Sequence, residues 1–147
     1  MTMTAGKDAQ FKPGTIVYIH KPTSLLKKLS YQWSDPIYVI VSVGVNTCVV
    51  RHLGGKAPKL SQVIRDNKLP ELVINKKMMR PFPVPPSFMI GAVICKRFGK
   101  KWFKGVVDQV HQDEDKVCWH VTYSDFDEED LEAAQLAEVV LYHPLMD

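Results

Sequence analysis

Trp102-Phe-Lys-Gly-Val-Val-Asp-Gln-Val110, Gln112-Asp-Glu-Asp115 and Val117-Cys-Trp-His-Val-Thr-Tyr123 follow one another closely, and together they read as two strands closed by a polar turn. The outer stretches are rich in β-branched and aromatic residues at strand length, and the middle one is the polar break that a hairpin needs. Working outward, Ala92-Val-Ile-Cys-Lys96 precedes the hairpin and Val139-Val-Leu-Tyr142 follows it as further strands. Between hairpin and last strand, residues 128 to 137 start with clustered acids, which favour the positive end of a helix dipole. A short helix is expected there. The same strand pattern occurs earlier, in Thr15-Ile-Val-Tyr-Ile19, Ile37-Tyr-Val-Ile-Val-Ser-Val43 and Thr47-Cys-Val-Val50, bounded by Pro13-Gly14, Asp35-Pro36, Gly44 and Gly54-Gly55. The expected fold class is all-β, as two tandem five-stranded barrels, a closure that leaves few exposed edges.

Charge divides the chain in the same way. Residues 1 to 88 carry 13 Lys and Arg against 4 Asp and Glu, whereas residues 89 to 147 carry 6 against 12. The overall +3 therefore hides a basic half of +9 and an acidic half of −6. Between them Arg80-Pro-Phe-Pro-Val-Pro-Pro-Ser87 favours stiff polyproline II and reads as a semi-rigid linker. The expected organisation is a disordered lead-in over 1–10, a basic barrel over 11–79, the linker over 80–87 and an acidic barrel over 88–147. A basic surface suits phosphate backbones and an acidic one suits Lys/Arg-rich tails; solubility tuning is the plainer account.

Cys48, Cys95 and Cys118 lie inside apolar runs, far apart, and read as reduced buried thiols. None forms a Cys-x-x-Cys pair and the five histidines fall at no ligand spacing, so neither a metal nor another cofactor is expected. The Asp125-x-Asp127-Glu-x-Asp130 run lacks the glycine and final glutamate of a calcium loop. No apolar run approaches the roughly 18 residues of a membrane span. The expectation is an intracellular protein without membrane contact. No nucleophile elbow, phosphate loop or His-Glu-x-x-His occurs, so catalytic residues are not expected and the chain reads as non-enzymatic.

Phe11-Lys-Pro-Gly-Thr-Ile-Val-Tyr-Ile-His-Lys-Pro22, the segment from Lys27-Lys-Leu-Ser-Tyr-Gln-Trp33 through Asp35-Pro-Ile-Tyr38, and Asn46-Thr-Cys-Val-Val-Arg51 resemble the C-terminal barrel of retrotransposon and retroviral integrases. The likeness spans about residues 11 to 70, with an echo of that family's closing strand between Leu60 and Leu69. It departs at Asp35, where glycine is usual, and the catalytic integrase core is not in this sequence. The resemblance implies non-specific contact with the DNA backbone through Lys21, Lys27, Lys28, Arg51, Lys56 and Lys59, and contact with other integrase subunits. Trp33 reads as a core anchor.

Ile90-Gly-Ala-Val-Ile-Cys-Lys-Arg-Phe98, Lys101-Trp-Phe-Lys-Gly-Val-Val107 and His120-Val-Thr-Tyr-Ser-Asp-Phe-Asp-Glu-Glu-Asp-Leu131 resemble a Tudor domain, over about residues 88 to 142. Both barrels would then be of the small Src-homology-3-like kind. The resemblance implies a cage for methylated lysine or arginine on a histone-like tail, with Phe98, Phe103 and Tyr123 as walls and Asp125 as the acid. Trp102, Phe126 and Asp127 are candidates for its rim. A methylammonium is weakly hydrated, so ring faces and one carboxylate can replace its water. Phe126 stands where that family places glycine, and Asp127 where many cages place a ring. Strand alternation sends Trp102 and Phe103 to opposite faces, so one of them can line a given pocket. The other readings are ordinary core aromatics in a structural assembly module, and an adaptor for RNA-associated methylarginine tails.

Overall fold

The computed structural model describes residues 11–19, 37–53 and 59–144. Among these, ten strands form two antiparallel five-stranded sheets. The first contains β1 (Ile16–Ile19), β2 (Ile37–Val43), β3 (Thr47–His52), β4 (Leu72–Asn75) and β5 (Met79–Pro81), ordered β4-β3-β2-β1-β5. The second contains β6 (Val93–Phe98), β7 (Lys101–Asp113), β8 (Lys116–Tyr123), β9 (Glu128–Leu131) and β10 (Val140–Tyr142), ordered β10-β6-β7-β8-β9. Helices α1 (Leu60–Asp66) and α2 (Ala133–Val139) accompany them. The β7–β8 hairpin turns at Glu114 and Asp115, and a register shift between Val107 and Gln109 bends β7.

Two local expectations are corrected. Residues 128 to 131 form strand rather than helix, because they pair with β8 in the register Val121 to Glu129 and bury Leu131. The helix starts only at Ala133, after Glu132, whose backbone N–H donates to the Gln135 side chain. Between Leu60 and Leu69, where a closing strand was expected, α1 instead packs Leu60 and Val63, with Leu69 just past its end, against Cys95, Trp102 and Leu141 of the second sheet. The strand role passes to β4.

The centre of the first sheet is buried on both faces. Val17, Tyr38, Ile40, Cys48, Val50 and Met79 make its own core. Their alternate neighbours Ile16, Ile37 and Val39, with Leu53, enter a larger cluster with Ile94, Val107, Val121, Leu131, Leu136 and Val140 of the second half. Backbone bonding crosses the same seam, from the His143 N–H to the Leu53 carbonyl at 2.9 Å. Gly14 permits the approach: its φ is +97°, and a Cβ there would lie 2.6 Å from that of Ala133. The proline-rich stretch joins the sheets and lies on this core. Phe82 and Val84 pack against it, the Phe82 N–H donates to the Ile16 carbonyl at 2.8 Å, and the Trp119 indole donates to the Pro86 carbonyl at 2.9 Å.

Candidate functional site

Register alone assembles one end of the second sheet. Lys96 lies opposite Phe103, and Gly105 opposite Tyr123. Because residues two apart share a face, Lys96, Phe98, Phe103, Tyr123 and Val121 project to one side, joined by Glu129 opposite Val121. Gly105 makes the grouping possible, since a Cβ there would sit 2.9 Å from Cδ1 of Tyr123. The Tyr123 ring lies across the space that a side chain at 105 would fill.

Three aromatic rings converge here. The centre of the Phe98 ring is 5.8 Å from that of Phe103, at 57° between planes, and 5.2 Å from that of Tyr123, edge to face at 89°. Phe98 is 39% exposed and Tyr123 only 3%, so most of the open ring surface belongs to Phe98. Phe103 is half-buried, between the other two in exposure.

Asp125 and Asp127 lie on the turn that joins β8 to β9, directly after Tyr123. Asp125 accepts from the Asp127 N–H at 3.1 Å, and the Tyr123 N–H donates to the Asp127 carbonyl at 2.8 Å, which closes the turn. Phe126 takes φ = +71°, the left-handed conformation usually left to glycine, and its ring is 87% exposed. The backbone thus takes the conformation glycine favours with phenylalanine in place, and Phe126 stands in solvent. Trp102, expected as a rim residue, lies instead on the opposite face against the α1 cluster, as alternation from Phe103 requires.

Two members of the group escaped the sequence reading. Glu129 accepts a hydrogen bond from the Tyr123 hydroxyl and pairs with Lys96, whose Nζ is 3.0 and 3.1 Å from its two oxygens. Burial, then Glu129, then the nearby charges of Asp125 and Asp127 push the Tyr123 phenol far upward, so it stays protonated as a donor. Burial alone would raise the Glu129 carboxyl, but the hydrogen bonds from Tyr123 and Lys96 outweigh it and hold it below the usual range. Alternation carried the signal for Lys96, two before Phe98, whereas Glu129 was hidden by the helix expected over residues 128 to 137.

On the outer face of the same sheet, His120 lies between Asp108 at 2.6 Å and Glu128 at 2.8 Å, and the Thr122 hydroxyl donates to Asp108 at 2.7 Å. The hydrogen bond to Asp108 is the leading reason that the His120 imidazole is raised. Among the described residues no cluster of His, Cys, Asp or Glu could hold a metal ion.

The residues expected to contact DNA fare differently. Lys21, Lys27, Lys28 and Lys56, like Trp33, lie outside the described residues. Lys59 is exposed at the start of α1. Arg51 is corrected: it is 7% exposed and donates from Nε to the Ala137 carbonyl at 2.9 Å, from one terminal nitrogen to the Pro70 carbonyl at 2.9 Å, and from the other to Glu71 at 3.1 Å. Its buried fork joins β3 to α2 and to the segment before β4, and burial keeps it from a phosphate. The seam also holds a cavity of about 300 Å³, lined by residues including Ile16, Val84, Met89, Trp119 and Leu136. Among the described residues no charged side chain lines it, so it holds no carboxylate to pair with a cation.

No curated protein and no solved structure matches the chain, and nothing in these comparisons bears on the integrase resemblance. Residues 91–140, which include the three rings, their acids and Lys96, match the family model of the PTM/DIR17-like Tudor domain, a type of generally non-catalytic module that binds methylated residues or nucleic acids.

Proposed function

We propose that the second barrel binds a methylated lysine or arginine side chain on a basic, histone-like tail, with Phe98, Phe103 and Tyr123 as its walls and Asp125 at its mouth. The observation that carries this reading is the convergence of Phe103 and Tyr123 on an exposed Phe98, 5.8 and 5.2 Å between ring centres. Rings attract a cation through their quadrupoles, and the attraction is strongest for one that sheds water easily, as a methylated ammonium does. The acidic half's net charge of −6 adds steering toward a basic tail. Such tails place the protein in the nucleus.

The first barrel braces the second through the shared seam. Its half carries an excess of basic residues, which supports a second, non-specific contact with a nucleic-acid backbone through lysines rather than Arg51. Titration of dimethyl- and trimethyl-lysine peptides beside their unmodified counterpart tests the cage. Equal affinity for all of them would remove it. A salt titration of duplex binding tests the second contact, which must weaken steeply as salt rises.

A further inference from the structure

Lys96 occupies the place a guest would take. It shares a strand face with Phe98 and lies opposite Phe103. Its ammonium is 5.3 Å from the centre of the Phe98 ring and within 3.1 Å of both Glu129 oxygens. A ring face and a carboxylate are what a cationic side chain requires of such a site, and the chain's own lysine already has both. The side chain is nonetheless 32% exposed, so its ammonium can leave toward water.

We propose that Lys96 is a resident ligand of this site, an internal cation that an incoming methylated lysine or arginine displaces from Phe98 and Glu129. The proposal rests on the cage reading above. Its first consequence concerns thresholds. Only the fraction of molecules with Lys96 swung out is competent to bind, so apparent affinity falls by that fraction. The factor is the same for every cationic guest. Lys96 therefore weakens methylated and unmodified tails alike and leaves their ratio unchanged, which moves the unmodified tail below useful affinity.

A purely structural strut predicts the opposite sign. If Lys96 only holds Glu129 and Tyr123 in place, its removal disorders the site and weakens binding. As a resident ligand, its removal frees Glu129 and the Phe98 face and tightens binding.

The test compares full-length wild type, Lys96→Gln and Lys96→Arg by calorimetric titration with trimethyl-lysine and unmodified peptides, after thermal melting confirms folding. We expect Lys96→Gln to tighten both peptides by about tenfold, the size of a partly exposed ion pair plus a ring contact. Lys96→Arg, which keeps the charge, stays near wild type. A methyl preference in wild type with unchanged or weaker binding by Lys96→Gln overturns the resident-ligand proposal and leaves the cage standing. No methyl preference in any of the three overturns the cage, and the proposal with it. Wild type supplies a separate check that does not depend on the variants folding: the ring-shifted ε-methylene protons of Lys96 should move toward free-lysine values as trimethyl-lysine peptide is added. Saturation of the site without that movement overturns the proposal.

Discussion

Replacing Arg51 by alanine tests whether this residue braces the fold or serves a surface contact. The guanidinium is held by the Ala137 carbonyl, the Pro70 carbonyl and Glu71, at 2.9, 2.9 and 3.1 Å. Burial lowers its pKa, with Glu71 and Glu138 acting in opposition. Each hydrogen bond from a charged donor to a carbonyl contributes about 1.5 kcal/mol. The Glu71 side chain is 43% exposed, so that ion pair adds no more than about 0.5 kcal/mol. Loss of the buried aliphatic stem adds about 1 kcal/mol. The sum, about 4 kcal/mol, is a large share of the ~5–15 kcal/mol that keeps a domain folded. Urea denaturation followed by far-UV circular dichroism should show a markedly lower midpoint. Amide exchange in β6 to β8 should accelerate as well, since the seam couples the halves. The charge-conserving Arg51→Lys recovers only part, because one ammonium cannot reach three acceptors arranged as a fork. A change below about 1 kcal/mol, accompanied by lost duplex binding, would show that Arg51 faces phosphate and that the seam is wrongly drawn.

Gly105→Ala places a methyl group 2.9 Å from the Tyr123 ring and 3.0 Å from Val121. Thermal melting should register a loss of about 1–3 kcal/mol, the usual cost of overpacking, together with weaker peptide binding. Phe126→Gly relieves the left-handed strain and should raise stability by about 0.5 kcal/mol once glycine's greater freedom in the unfolded chain is subtracted; a clear fall in melting temperature would contradict the turn geometry. The His120 cluster predicts a pH window. His120 is raised, so its contribution is full below the unfolded value of about 6.5 and is lost as pH climbs through its folded value. For Asp108, burial pushes upward but bonds from His120 and Thr122 prevail, so its depressed carboxyl contributes above about 3.9 and fails as pH falls through its folded value. The stability gap between wild type and His120→Gln should be widest between about pH 4 and 6.5 and narrow above it; a gap that widens with pH would refute the ion pair.

The strands that carry the site were legible because their pattern is local. Alternation put Trp102 and Phe103 on opposite faces without saying which was which, and Trp102 proved to be the one packed in the seam. Residues 128 to 131 misled because acids that suit a helix start also suit the exposed positions of an edge strand, and only pairing with β8 decides between them. Helix α1 was missed because its buried stripe, Leu60 and Val63, is too short to declare a period without the partner surface it covers. Arg51 could not be placed from charge alone, since its acceptors are 19, 20 and 86 residues away. One signal of the seam was present. The unbroken apolar run Ile37-Tyr-Val-Ile-Val41 marks a strand buried on both faces, and its alternate residues do enter two different cores.

The most direct measurement is the affinity of wild type and Phe103→Ala for a trimethyl-lysine peptide and its unmodified twin, with melting curves to confirm that both proteins are folded. The account predicts a preference for the methylated peptide in wild type that disappears in Phe103→Ala. A folded wild type that binds both peptides equally, or a Phe103→Ala protein that keeps the preference, would contradict it.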